Sequence, residues 1–140
     1  MQQVNFCQRH ALHDIAATRR IEHKAQLALP PHTLMARAGL AVARLALALT
    51  PHAQRIWVAA GPGNNGGDGL EAAIHLHRAG RKVIVSLLVD RDKQPADAQA
   101  ALGRALQAGV RVQTQAPLSW IASMSKQDLC MDAILGLGAS

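Results

Sequence analysis

The chain has 140 residues, of which 49% are hydrophobic and 17% are charged, and its formal net charge is +6. These values predict one compact, soluble domain and exclude a disordered chain. Its lysines and arginines are scattered, and aromatic side chains that could stack on bases are almost absent, so we expect no nucleic-acid partner.

The apolar stretches, the first residues and the cysteines of the sequence together predict a cytoplasmic location. No apolar stretch approaches the roughly 20 residues of a membrane span, so we expect no membrane association. The first residues lack the basic-then-apolar form of a secretion signal. Cys7 and Cys130 are too few for a disulfide framework. Cys130 lies in a predicted buried strand, where we expect it to act as a small hydrophobe.

Helix and strand patterns alternate along the chain, as a parallel α/β sheet requires. The predicted elements are helices over about residues 13–27, 33–49, 70–79 and 95–108, and strands over 55–60, 83–89, 110–112 and 129–135. Thr33 is the expected N-cap of the second helix. Its expected apolar side comprises Leu34, Ala38, Leu45 and Leu49. The predicted fold is a Rossmann-like, three-layer αβα domain with strand order 3-2-1-4.

The first strand is followed by Gly-Pro-Gly-Asn-Asn-Gly-Gly-Asp-Gly at Gly61–Gly69. Glycines at this density let backbone approach a ligand closely, which predicts a nucleotide-binding turn before a helix. The spacing also fits the weak dinucleotide pattern, with Asp90 at the ribose-binding position, whereas the Walker-type loop is excluded because no Lys-Ser or Lys-Thr follows. A purely structural alternative is a glycine-rich turn capped by Asp68.

The predicted strand order brings a second turn to the same place. Strands one and four lie side by side, so Gly61–Gly69 and Asp132–Ser140 should line one crevice at their carboxyl ends. A carboxylate at the end of a central strand is hard to explain by packing. We therefore expect a functional role for Asp132.

Three segments are similar to the YjeF N-terminal family, the NAD(P)H-hydrate epimerases: Gly61–Gly69, Leu34-Met35-Ala36-Arg37-Ala38-Gly39 and Asp132-Ala133-Ile134-Leu135-Gly136-Leu137-Gly138. The resemblance implies a cofactor-repair isomerase that interconverts the R and S forms of hydrated NADH and NADPH. It implies substrate contacts from Asn64, Asn65, Gly66, Gly67, Asp68, Gly136, Leu137 and Gly138. It also implies a potassium ion held partly by Asn65 and Asp132.

Two departures from the family pattern affect these expectations. Leu137 replaces a family threonine, so a hydroxyl contact is lost. The sequence ends at Ser140, before the fifth strand of relatives, so we expect residues 1–140 to form an incomplete domain, either a fragment or a degenerate member. The main catalytic acid or base should then lie beyond Ser140, and Asp132 is the candidate for that role within residues 1–140. We expect the chain alone to turn over slowly and to self-associate as a homo-oligomer. A dehydratase, fused or separate, is the implied partner.

Two other functions compete with the epimerase. A non-catalytic module of the same fold would bind a nucleotide or an ADP-ribose-like metabolite, or serve in dimerisation. An NAD-dependent dehydrogenase is disfavoured, because it would not need Asn64, Asn65 and Asp68 together.

Overall fold

The computed structural model describes residues 12–136. Along this part of the chain the elements are α1 (Ile15–Ala28), α2 (Thr33–Leu49), β1 (Arg55–Ala60), α3 (Asn64–Arg78), β2 (Lys82–Leu87), a 3-10 turn (Arg91–Lys93), α4 (Ala96–Gln107), β3 (Arg111–Gln113), α5 (Leu118–Ala122) and β4 (Leu129–Ala133). The bounds of β1 agree with the prediction. The bounds of the other three strands differ from the predicted ones by two residues or fewer. The short helix α5 was not predicted.

The strands form one parallel sheet in the order β3-β2-β1-β4. This arrangement confirms the predicted α/β fold and strand order. Ala59 of β1 is in register with Asp132 of β4, and Ala60 with Ala133. The carboxyl ends of β1 and β4 therefore lie at the same level and side by side.

The hydrophobic core lies between the sheet and α3. Alternate side chains of the two central strands point into it, including Ile56, Val58, Val83 and Val85, all 5% exposed or less. Helix α3 packs across β1 and β2, and it is flanked by α2 and α4. This position carries the amino end of α3 to the carboxyl ends of β1 and β4.

The opposite face of the sheet is tied to the segment between β3 and β4. The indole Nε1 of Trp57 donates to Ser86 Oγ at 2.9 Å, and that hydroxyl donates to the carbonyl of Gln115 at 3.1 Å. Ser86 is fully buried, so both bonds satisfy a polar group that would otherwise be costly. Cys130 pairs with Trp57 on this face and is exposed. Its predicted burial is wrong, because this side of β4 lies outside the core.

The predicted apolar side of α2 is also wrong. Leu45 and Leu49 are 59% and 71% exposed. The buried residues of α2 are Met35, Gly39, Ala43 and Ala46. Small residues face inward because α2 approaches α3 closely: a Cβ at Gly39 would lie 2.9 Å from the backbone nitrogen of Ala72.

The start of α2 differs from the prediction as well. His32, not Thr33, occupies the N-cap, with a positive φ of 63°. Its side chain makes no cap bond; instead Nδ1 lies 2.6 Å from Oδ1 of Asp97 at the start of α4. This contact joins the beginnings of α2 and α4.

Helix α1 is the most exposed helix of residues 12–136 and has no buried residue. It begins at an Asp14 cap, whose Oδ1 accepts from Ala17 N at 2.6 Å. Within residues 12–136, no single helix is both long and apolar enough to cross a membrane. Helices α1 and α2 meet that criterion only as a pair bent by 115°.

Candidate functional site

The two glycine-rich turns meet at the carboxyl ends of β1 and β4, as predicted. The backbone N–H of Gly61 donates to the carbonyl of Ala133 at 3.0 Å. The side-chain Nδ2 of Asn65 donates to the carbonyl of Leu135 at 2.9 Å. The motif after β1 is thus hydrogen-bonded to the turn after β4 through both backbone and side chain.

Two glycines make this approach sterically feasible. A Cβ at Gly61 would collide with the carbonyl oxygen of Ile134, and it would lie only 2.8 Å from the Cα of the same residue. A Cβ at Gly66 would collide with the carbonyl of Gly61. At these positions the absent side chain makes room for protein backbone. Gly63 differs, because a Cβ added there would meet no heavy atom of residues 12–136 within 4 Å, so a ligand has space beside it.

Helix α3 begins inside the motif, six residues earlier than predicted. Its first residue is Asn64, and Gly63 is an N-cap that supplies no side-chain hydrogen bond. Asp68 lies in the second turn of α3, so the structural alternative in which it caps the helix is wrong. Each glycine costs a helix about 1 kcal/mol relative to alanine, which is why the sequence favoured a loop. Close packing explains why glycine is nevertheless present. A Cβ at Gly67 would lie only 2.5 Å from Met35 Cε, so a larger residue there would push α2 and α3 apart.

This helix start leaves donors without partners inside the helix. The first N–H groups of any α-helix lack helical acceptors, and the helix dipole places about half a positive charge there. Because Gly63 has no capping side chain, the N–H groups of Asn64, Asn65 and Gly66 are not capped by it. The first turn of α3 therefore offers a favourable position for an anion.

Asp68 is half-buried, and its pKa is raised from 3.8 to about 6. Burial is the largest cause, followed by the negative charges of Glu22 on α1 and Glu71 on α3. The side chain therefore lies near α1 and Glu71. A carboxyl group with this pKa exchanges its proton close to neutral pH.

Asp132 is exposed at the end of β4. Its Oδ1 accepts a hydrogen bond from the N–H of Ile134 at 2.9 Å, which fixes the start of the turn. Gly136 lies against Asn65, since its Cβ position is 3.1 Å from the Asn65 Cβ. Because Asn65 uses Nδ2 on Leu135, its Oδ1 faces elsewhere as an acceptor.

The predicted site residues therefore fall into distinct settings. Asn64 is exposed and Asn65 half-buried, whereas Gly66 and Gly67 are buried. Glycine can contact a ligand only through its backbone, and burial leaves little of that backbone exposed at these two positions. Leu137 and Gly138 lie outside the described residues.

Sequence reasoning missed a buried ion pair beside the motif. Glu71 is 4% exposed, and Arg104 of α4 donates to its Oε1 through Nε at 2.7 Å, with Nη2 at 2.5 Å. The available signal was a glutamate inside the apolar run Leu70–Ile74, which requires a buried partner. This pair locks α3 to α4 about one helical turn after Asp68.

Known proteins resemble the chain over most of its length. The family model described as YjeF-related protein N-terminus matches residues 31–140. An NAD(P)H-hydrate epimerase of Limosilactobacillus fermentum is 40% identical over 114 residues, covering 81% of this chain and 52% of that protein. A bifunctional NAD(P)H-hydrate repair enzyme Nnr of Pyrobaculum aerophilum is 41% identical over 117 residues, covering 80% of this chain and 23% of the relative.

A solved structure supports the fold. The crystal structure of yeast ynu0, YNL200c, aligns with a TM-score of 0.75 at 24% identity, covering 91% of this chain and 57% of the yeast chain. The chain thus spans about half the length of epimerase relatives such as the one from Limosilactobacillus fermentum, and about a quarter of the bifunctional enzyme from Pyrobaculum aerophilum. Because the family model covers residues 31–140, including the motif and the β4 turn, the chain belongs to the family of YjeF-related protein N-termini.

Proposed function

We propose that this chain forms the substrate-binding part of an NAD(P)H-hydrate epimerase, an isomerase that interconverts the R and S forms of hydrated NADH and NADPH. One observation carries the proposal: the bond from Asn65 to the Leu135 carbonyl unites the two turns whose sequences resemble those of epimerases. The relatives named as epimerases support it.

The substrate is a dinucleotide, so its pyrophosphate needs a positive environment. The uncapped first turn of α3 supplies N–H donors, and the open space at Gly63 admits the phosphate groups. The exposed side chain of Asn64 and the Oδ1 of Asn65 add polar contacts for sugar hydroxyls. We propose that Gly136, Leu137 and Gly138 complete this surface from the β4 side.

A potassium ion fits the same place chemically. The Asn65 Oδ1 and the Asp132 carboxylate are hard oxygen donors, the ligand type that alkali and alkaline-earth cations prefer. Asp132 has its second oxygen left after Oδ1 accepts from Ile134. We propose that these two residues hold the ion. When bound, it would offset the repulsion between the Asp132 carboxylate and the substrate phosphates.

Epimerisation also needs a proton donor and a proton acceptor near the nicotinamide ring. Within residues 12–136, the acid that adjoins the two turns through β4 is Asp132, and we propose that it is committed to the cation. Asp68 lies within the motif itself, and we propose that it is committed to contacts inside that turn. We therefore propose that the chain alone binds the substrate weakly and turns it over slowly. Homo-oligomerisation and a dehydratase partner, fused or separate, belong to the same proposal.

The test compares Asp132→Ala, Asp132→Asn and Asp90→Ala. Hydrated NADH in the R form is incubated with each protein and an S-specific dehydratase, and NADH recovery is followed. Binding of the hydrate is measured in parallel by calorimetry. Asp132→Ala should weaken binding about tenfold, as loss of a metal-site carboxylate commonly does, and Asp132→Asn should weaken it less.

Asp90 is the matched control, because it is exposed, follows β2 and pairs with Lys93 on the surface at 2.9 Å. Asp90→Ala should leave binding unchanged under the epimerase proposal. A loss in Asp90→Ala alone would instead favour a dinucleotide fingerprint of the dehydrogenase type. Potassium should also raise the melting temperature more than lithium at equal ionic strength, by mass action on the folded state. Identical melting in both salts would count against the ion site.

A further inference from the structure

The end of the sheet opposite the glycine motif contains a cavity that is separate from the meeting point of the two glycine-rich turns. It has a volume of about 420 Å³ and lies where β2 and β3 begin and where α3 and α4 end. Its walls include Arg81, Lys82, Arg111, Ile84 and Trp120. Its volume falls within the ~300–1,000 Å³ typical of small-molecule sites.

The charges around this cavity are one-sided. Arg81, Lys82 and Arg111 are cationic, and among residues 12–136 none that lines the cavity is acidic. The carboxyl ends of two helices lie here, and each contributes about half a negative charge. Three full positive charges against two halves leave a net charge of about +2. Compensation of the two helix dipoles therefore accounts for only part of the positive charge around the cavity.

A carboxylate at this end of the sheet, that of Asp128, makes its hydrogen bonds outside the cavity. Asp128 accepts hydrogen bonds from the backbone N–H groups of Gln54, Arg55 and Ser125, at 3.1, 2.9 and 2.8 Å. These bonds hold the carboxylate on the start of β1. It does not line the cavity, so it leaves the three cations unneutralised there.

The aromatic wall is held in place by contacts outside the cavity. Arg55 Nη1 donates to the backbone carbonyl of Ser123 at 2.9 Å and to its hydroxyl at 2.6 Å. These bonds anchor the end of α5, the helix that carries Trp120. On the other side, Arg81 Nη2 donates to the carbonyl of Pro51 at 3.0 Å, which restrains its guanidinium. The Arg81 guanidinium and the helix that carries the indole are therefore positioned before any ligand arrives.

We propose that this cavity is a second binding site, and that its ligand is a nucleoside monophosphate or a compound that ends in one. The phosphate would lie among Arg81, Lys82 and Arg111, and the base would stack on the Trp120 indole. The site stands apart from the crevice at the other end of the sheet. It does not depend on the epimerase activity.

Trp120 and Trp57 are the two tryptophans of the sequence, so one substitution isolates the signal. In a Trp57→Phe background, fluorescence reports Trp120 alone, and Ser86 keeps its bond to Gln115. AMP at low ionic strength should quench this fluorescence in a saturable way. Inorganic phosphate should compete at least tenfold more weakly, because it cannot stack.

Charge reversal separates the cavity from the overall field of the protein. Arg111→Glu should weaken AMP binding about tenfold or more, as expected when a phosphate contact becomes repulsive. Arg44→Glu is the matched control, since Arg44 is an exposed residue of α2 and does not line the cavity. Its AMP affinity should change less than twofold.

Three results would overturn the proposal: no quenching by AMP, equal affinity for AMP and phosphate, or equal losses in the two charge-reversal variants. Far-ultraviolet circular dichroism and melting curves check that each variant is folded. If Arg111→Glu is unfolded, Lys82→Glu provides the same test from β2.

Discussion

Asp68→Asn should stabilise the protein at alkaline pH and leave its stability nearly unchanged in acid. The pKa of Asp68 rises from 3.8 to about 6 on folding, mainly through burial. The folded state therefore holds the proton more tightly than the unfolded state does. As pH rises from about 4 to 6, the unfolded chain ionises first, and the free energy of unfolding falls. Above pH 6 the full cost is present.

The size of this effect follows from the shift. Two pKa units correspond to about 3 kcal/mol at 1.36 kcal/mol per unit. Because the side chain is only half-buried, solvent screening reduces this to roughly 1–2 kcal/mol. Asparagine has nearly the same shape and cannot ionise. The variant should therefore be about 1–2 kcal/mol more stable than the wild type at pH 8.

Urea unfolding at pH 4, 5, 6, 7 and 8 measures the difference between the two proteins, which cancels all other titrating groups. Glu22→Gln provides a second variant, since Glu22 is the second cause of the shift. At pH 8, Glu22→Gln should raise the free energy of unfolding of the wild-type protein by less than Asp68→Asn does. In the Asp68→Asn background it should have no effect. An Asp68→Asn protein that gains as much stability at pH 4 as at pH 8 would refute this reasoning.

Three further predictions concern helix packing, the buried ion pair and the carboxylate at the start of the sheet. Gly39→Ala should cost about 1–3 kcal/mol in urea unfolding, because its Cβ would meet Glu71, whereas Gly103→Ala, with open space around it, should be neutral or stabilising. Arg104→Met should cost about 3–5 kcal/mol by leaving the Glu71 carboxylate buried without its cation, and adding Glu71→Gln should recover much of the loss. The pKa of Asp128 is lowered from 3.8 to about 2, chiefly by backbone hydrogen bonds, so Asp128→Asn should lower the melting temperature at pH 7 and lower it much less at pH 2, where the carboxyl is partly protonated.

The sheet could be predicted from the sequence because its signals are local. Continuous apolar runs bounded by glycine or proline marked β1 and β2, and alternation with helices implied parallel strands. The strand order that follows from this alternation puts Gly61–Gly69 beside the β4 turn. Topology therefore predicted that the two turns are neighbours, and the bond from Asn65 to Leu135 confirms that they meet.

What could not be predicted depends on contacts between distant segments. Local propensity counts every glycine against a helix, so it could not show that α3 starts at Asn64. The environment of Asp68 depends on Glu22, which belongs to another helix. The inward side of α2 depends on how closely α3 approaches. The potassium ligands and the substrate contacts stay predictions.

The arrangement of charges at the motif links two proposals that could otherwise be tested separately. The uncapped start of α3 attracts an anion, but the exposed Asp132 carboxylate on the neighbouring strand repels one. The helix end contributes only about half a positive charge, which is less than the full negative charge of the carboxylate. A cation between Asn65 and Asp132 would reverse that balance, so potassium should raise the affinity for the dinucleotide. Thermodynamic linkage then requires the dinucleotide to raise the affinity for potassium by the same factor. Independent binding of the two would mean that Asp132 does not share the ion with the substrate site.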